Sequence, residues 1–325
     1  MATLSTITAR PGGPGSRQSA VLAVGAANMD ISGAAQAATL PGDSTPGQIR
    51  CAAGGVARNV AENLARLGCA VQLLSPVGDD LQGRSVLETT RAAGVDVGHC
   101  RVLAGRATST YLSLQGPDGE MQAAVNDMEI LECMTAQWLQ PHAALVRQAA
   151  LLVLDCNLPA AALQWLFEHA MDAPVFVDPV SVFKCARLRP WLHRVHMLKA
   201  NWHEAQALCG HALGDDTEVQ RAAAWFHAQG VQQLVLSFGE RGMYWSDQDG
   251  LCGWQAALPV QVVGATGAGD ALLAGLVQQY LQHQPLPRAV RFAAGCAALT
   301  LSVPPANCPH LAVAAVEQLL ADHGF

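Results

Sequence analysis

Lysine is almost missing from this chain of 325 residues: Lys184 and Lys199 are the only two, against seventeen arginines. Charged residues make up just 14% of the total, and the net charge of −7 comes without any basic cluster. A surface that neutralises a nucleic-acid backbone needs such a cluster, so that class of partner is excluded. No apolar run is long enough for a membrane span, because Asp30, Arg147 and Glu168 interrupt the best candidates. The ten cysteines include no CxxC pair, and no secretory leader is legible, which argues against a zinc site or a disulfide framework. Reduced, mostly buried thiols in a cytoplasmic protein are expected. The eleven histidines are dispersed, and nothing completes a metal site around His193 and His196. There is no GxxxxGK[ST], so no P-loop.

Hydrophobic residues supply 51% of the chain, enough for a large buried core. Residues 1–18 hold Pro11, Gly12, Gly13, Pro14 and Gly15 with no apolar period, which predicts a disordered tail. From residue 19 to 325 one domain is expected. Short apolar runs at Val21–Gly25, Val71–Leu74, Leu151–Leu154, Val175–Val177, Met197–Leu198 and Gln233–Ser237 read as buried strands. Helical patterns at 56–67, 80–93, 159–171, 203–209, 217–229, 269–282 and 286–302 alternate with them. This is an α/β pattern: a doubly wound, mostly parallel sheet flanked by helices, with ligands at the C-terminal strand ends. Segments near 31–51 and 100–125 break the rhythm. Ser109–Leu114 resembles a strand, and together the two segments predict a small β lid.

Thr266-Gly267-Ala268-Gly269-Asp270-Ala271 opens an apolar helix. Uncovered amides at a helix start hold anions, and a carboxylate beside them can serve as a base for phosphoryl transfer. Alone, the hexapeptide is equally a capped helix in a Gly-rich turn. Gly54-Gly55 precedes another helix whose Asn59 offers both donor and acceptor. Asp30, Asp155, Asn157 and Asp178 follow strands, which suggests a polar crescent. Asn201 and Glu204 either share a face near a metal–phosphate group or cap their helix reciprocally. Ser237, Gly239 and Gly242 follow a buried strand, where a nucleotide or a plain turn fits. Gly267-Ala268-Gly269 lacks the third glycine of a dinucleotide fingerprint and lies near the chain's end, against a dehydrogenase.

In this order and combination the residues resemble the ribokinase-like carbohydrate kinases, the PfkB family. Gly54-Gly55 with Asn59 resembles the family's N-terminal signature, Asn201 with Glu204 its N-x-x-E element, and Thr266 to Asp270 its C-terminal signature. The similarity spans about residues 20–320. The runs Ala27–Ile31, Ser109–Leu114, Val125–Met128, Asp155–Asn157 and Val177–Ser181 bring the chain nearest to the pseudouridine kinase branch.

The resemblance implies ATP-dependent phosphorylation of the 5'-hydroxyl of pseudouridine, with Mg²⁺ riding on the phosphates. Asp270 would be the base, and the amides of Gly267, Ala268 and Gly269 the anion hole. Asp30, Gly54, Gly55 and Asn59 would hold the ribose, with Asn126, Asp127 and Asn157 in the substrate pocket. Asn201, Glu204, Ser237, Gly239, Gly242, Thr266 and Asn307 would line the ATP site, Glu204 reaching the metal through water. Many relatives carry Asp-Thr directly before the C-terminal signature. Gly264 and Ala265 stand there instead, which leaves a monovalent cation without side-chain oxygens. Lids of this type pair into dimers in relatives, so a homodimer is implied by analogy. A family member acting on another nucleoside or sugar, and a non-catalytic nucleoside-binding protein, are the competing readings.

Overall fold

Val21–Val24 (β1) has no exposed side chain, and it sits inside an eight-stranded sheet. The structure is a computed structural model that describes residues 20–40 and 42–324; the expected tail at 1–18 lies outside these. In chain order the other strands are Asn28–Ala35 (β2), Gly47–Gly54 (β3), Val71–Leu74 (β4), Pro76–Gly78 (β5), Arg101–Leu103 (β6), Thr110–Gln115 (β7) and Met121–Asp127 (β8). Leu151–Asp155 (β9), Val175–Asp178 (β10), Met197–Asn201 (β11), Gln233–Ser237 (β12), Met243–Asp247 (β13) and Cys252–Gln255 (β14) follow.

The large sheet runs β14-β13-β12-β11-β10-β9-β1-β4, parallel from β12 to β4, with β13 and β14 antiparallel at one edge. Its central strands are covered on both faces, which explains why they read as unbroken apolar runs. Val21, Ala23, Val153 and Phe176 face a layer that includes helices Val56–Arg66, Ala268–Leu281 and Leu286–Leu301. Leu22, Val24, Leu152 and Leu154 face the other, with helices Ala160–His169, Trp202–Cys209 and Asp216–Ala228. Helix Ala268–Leu281 is buried over most of its surface because both its neighbours and the sheet enclose it. The C-terminal ends of β1, β9, β10, β11 and β12 all open on one edge, at Gly25, Asp155, Asp178, Asn201 and Ser237.

A second sheet, β3-β2-β7-β8, grows from the same edge. Its strands begin at Asn28 and end at Asp127, beyond the segments read from the sequence. Asp30 pairs with Tyr111, and Tyr111 with Asn126, so these three share one face. Ile31, Leu112 and Val125 form the next row, on the opposite face. That second face is apolar, yet Ile49, Leu112 and Val125 on it are exposed.

Sequence periodicity passed over the edge strands β13 and β14, the helical stretch from Val182 to Arg194 and the last helix, Val313–Asp322. Short elements give periodicity few residues to work with, so packing against neighbours defines them. No helix among the described residues is long and apolar enough to cross a membrane.

Candidate active site

Gly267 takes φ +83°, and a Cβ there would run into the Ala306 carbonyl. Only glycine fits both conditions, and its kink starts the helix Ala268–Leu281. The Ala271 N–H closes the first turn on Gly267 O at 2.9 Å, so the preceding amides come before the helical ladder and remain available to an anion. A Cβ at Gly269 would sit 2.6 Å from Lys199 Nζ. The buried ammonium of β11 therefore lies against this turn, adding full positive charge to the partial charge of the helix end.

Asp270 is the third residue of that helix and is buried. Asn59 Nδ2 donates to its Oδ2 at 2.8 Å. Burial pushes the Asp270 carboxyl up to about 7, Asp178 and Asp155 push the same way, and Lys199 and Asn59 pull it down. A carboxylate near neutrality is matched to proton transfer at physiological pH. A cap carboxylate in a plain Gly-rich turn would need no such surroundings; Asp270 caps nothing with its side chain.

Lys199 also donates to Asp178 Oδ2 at 2.8 Å. Burial alone would lower its pKa, but Asp178, Glu204 and Asp270 more than offset that and raise it. Asn201 and Glu204 form the reciprocal cap: Glu204 N–H donates to Asn201 Oδ1 and Asn201 N–H to Glu204 Oε2, both at 2.9 Å. The cap leaves Glu204 buried, where desolvation and Asp178 raise it to about 7. The reciprocal cap is the arrangement present, and the capping Glu204 also lies near enough to Lys199 and Asp178 for their charges to act on it.

On the acceptor side, Asp30 accepts from Asn28 Nδ2 at 2.6 Å, and burial raises its pKa. The glycine pair serves the protein's own packing: a Cβ at Gly54 would collide with the Asp30 carboxylate, and one at Gly55 with Ala26 O. Side-chain space here goes to Asp30 rather than directly to a ligand. Asp155 is fully buried and accepts the N–H groups of Ala26, Ala57 and Asn157, each at 2.9 Å. It braces the site instead of facing it. Asn157 Oδ1 accepts from Lys184 Nζ at 2.6 Å.

Two of the expected site residues spend their side chains on partners within the protein. Asp127 lies on the face opposite to Asp30 and Asn126, and its Oδ1 holds the Glu129 N–H at 3.0 Å, so it shapes a turn. Asn307, expected at the ATP site, turns its amide inward. Its Oδ1 accepts from Arg58 Nη1 at 3.0 Å and its Nδ2 donates to Asn59 O at 2.9 Å, which uses both ends of the buried amide. Lys199 and Arg58 were not among the site residues read from the sequence. The scarcity of lysine was the one signal for Lys199; nothing local marked Arg58.

Beside the anion turn, a cavity of about 320 Å³ is lined by Ser237, Gly239, Gly242, Ala268, Gly269 and apolar side chains of helix Leu286–Leu301. Thr266 is exposed, one residue before Gly267. The buried Asp270 carboxylate therefore stands between the amides of the glycine turn, with the cavity beside them, and the helix that follows the Gly54-Gly55 pair.

The pfkB family carbohydrate kinase model matches residues 18–310. The chain belongs to the pfkB family of carbohydrate kinases. It is 44% identical to a pseudouridine kinase of Escherichia coli over 300 residues, covering 92% of this chain and 96% of that protein. An uncharacterised sugar kinase of the same organism is 42% identical over 288 residues, covering 89% and 80%. The crystal structure of a putative sugar kinase from Clostridium perfringens superposes with a TM-score of 0.83 at 30% identity, covering 94% of this kinase and 97% of that chain.

A kinase of this family needs its phosphate charge neutralised, and the residues can be tested for that. Among the described residues, no three His, Cys, Asp or Glu side chains converge as a protein-built metal cage. The buried carboxylate of Glu204, beside Lys199 and Asp178, instead fits Mg²⁺ that keeps its waters and rides on phosphates. At Gly264 the carbonyls of Val303 and Pro304 crowd the position of a Cβ, and no side-chain oxygen is supplied by Gly264 or Ala265.

Proposed function

We propose that this kinase transfers the γ-phosphoryl group of ATP to the 5'-hydroxyl of pseudouridine. The observation that carries the reading is the 44% identity to a pseudouridine kinase along nearly the whole chain, lid sheet included. Asp270 takes the proton of the acceptor hydroxyl as its oxygen bonds to the γ-phosphorus and the bond to the ADP oxygen breaks. The amides of Gly267, Ala268 and Gly269, with the Lys199 ammonium, stabilise the charge that spreads over the transferring group. Mg²⁺ on the phosphates would supply further neutralisation, and Glu204 would hold it through water. The cavity along Ser237, Gly239 and Gly242 takes the adenine, its apolar walls matching a flat base. Asp30 binds the ribose hydroxyls, and Asn157 and Asn126 face the uracil. A C-linked uracil exposes one more N–H than an N-linked one, and the Asn126 amide oxygen can accept it.

The apolar outer face of the lid sheet supports a homodimer: Ile49, Leu112 and Val125 are exposed on it, while Tyr111 and Ser113 on the other face are half-covered. A cytoplasmic setting accords with the free state of all ten cysteines.

The test is ADP release with Mg²⁺-ATP and pseudouridine, uridine, adenosine or ribose offered separately, with product masses recorded. Selective gain of one phosphate on pseudouridine supports the reading. The 42% identity to a sugar kinase favours a second one, a sugar acceptor, and turnover on ribose alone would establish it. Binding without turnover would leave a nucleoside-binding protein.

A further inference from the structure

Arg58 is the largest side chain that the fold buries completely, in the helix behind the glycine pair. Its guanidinium ties four parts of the chain together. Nη1 donates to Ala53 O on β3 at 2.7 Å, to Asn59 Oδ1 at 2.6 Å and to Asn307 Oδ1 at 3.0 Å. Nε donates to Thr90 Oγ1 at 3.1 Å, and Nη2 pairs with Glu62. Burying an arginine with this many satisfied donors is costly to arrange for stability alone, since apolar residues fill such space as well.

The contact with Asn59 has a chemical consequence. A guanidinium has donors and no acceptor, so it can only take the oxygen end of the Asn59 amide. The nitrogen end is then turned to Asp270, to which it donates at 2.8 Å. Flipping the amide would set N–H against N–H at Arg58 and oxygen against oxygen at Asp270. We propose that Arg58 is a positioning residue: by fixing the orientation of the Asn59 amide, it keeps the Asp270 carboxylate ionised and aimed at the acceptor hydroxyl. This inference rests on the reading of Asp270 as the base.

The charges around Asp270 are balanced finely enough for one hydrogen bond to count. Asp155 and Asp178 at the strand ends disfavour its ionised form, while Lys199 from β11 and the Asn59 amide favour it. Arg58 faces both Asp270 and Asp30, and Glu204 faces Lys199. Burial lowers Arg58 to about 10, so it stays cationic at neutral pH.

The experiment is the pH profile of kcat and kcat/KM for the full chain and for Arg58→Lys, with whichever acceptor the panel identifies. A lysine keeps the charge beside Glu62 but cannot hold the Asn59 oxygen and its other partners together. The acidic limb is expected to move up by about one pH unit, the scale of one hydrogen bond to a charged group. Turnover then falls about tenfold at pH 6.5 and largely recovers at pH 9, with KM for ATP unchanged. In an Asn59→Leu background, Arg58→Lys should move the limb no further. A loss that is uniform across pH, or a shift that persists without Asn59, overturns the proposal. If Arg58→Lys does not fold, Arg58→Met with Glu62→Gln removes the ion pair as a unit and must show the same limb shift. Full activity of Asp270→Asn would instead sink the base assignment, a separate result from a normal Asp270 dependence with no limb shift.

Discussion

Asn59 and Asp270, 211 residues apart in sequence, meet across a 2.8 Å hydrogen bond between the starts of two helices. One helix begins at the Gly54-Gly55 pair and the other at Gly267, so this bond joins the two glycine-flanked helix starts. The bond places a neutral donor on a carboxylate whose pKa burial and two neighbouring aspartates raise, and it acts with Lys199 in the opposite direction.

Replacing that carboxylate removes the base and little else. Asp270→Asn is expected to lose about 10²- to 10⁴-fold in turnover, the usual contribution of a positioned base. Equilibrium binding of acceptor and ATP should be retained. In the parent enzyme, kcat/KM should fall as pH drops below about 7, where Asp270 takes up its proton. A flat profile between pH 5.5 and 8 would contradict the assignment.

The same substitution should stabilise the fold at alkaline pH. Asp270 titrates near 7 when folded against an ordinary 3.8, so between those values the folded state holds the proton that the unfolded chain releases. Stability from this group is therefore greatest at low pH and falls as pH rises through the window. Asp270→Asn should melt about 2–5 °C above the parent at pH 8, with the difference gone near pH 4. Thermal melts at the two pH values decide it.

Lys199 offsets the charge of Asp178 in a buried pair. Lys199→Met leaves that aspartate without its counter-charge, a change that costs about 3–5 kcal/mol in buried pairs. We expect a lower Tm at pH 8 and a raised KM for ATP. An unaltered KM for ATP would remove Lys199 from the phosphate site.

Neighbouring residues on β8 should behave differently because they lie on opposite faces of the lid sheet. Asn126→Ala is expected to erode selectivity for pseudouridine over uridine by roughly tenfold, the value of about one hydrogen bond. Asp127→Ala should leave that ratio unchanged. Competition assays with the two nucleosides read both, and equal ratios in both variants would remove Asn126 from base recognition.

The chain's own residues determined the layered α/β architecture and the two glycine-flanked helix starts. Those features depend on short-range physics: apolar runs that can only be buried on two faces, and a helix start that needs a left-handed residue at Gly267. Adjacent pattern also marked Asp30, Asn59, Asp270 and Glu204. What it left undecided was which neighbours each would find. Nothing beside Asn307 in sequence shows that the fold carries its amide onto Arg58 and the Asn59 carbonyl, nearly 250 residues back along the chain. Asp127 is one residue from Asn126, and strand register alone turned it to the other face. Asp155 resembles Asp178 as a strand-end carboxylate, yet one accepts three backbone N–H groups and the other a single backbone N–H and a buried lysine. Burial and the company of charges set the pKa of Asp270, and both exist only once β9, β10 and β11 are side by side. Local sequence thus supplied the residue types and the elements that carry them, while tertiary packing, acting over hundreds of residues, decided their partners and their protonation.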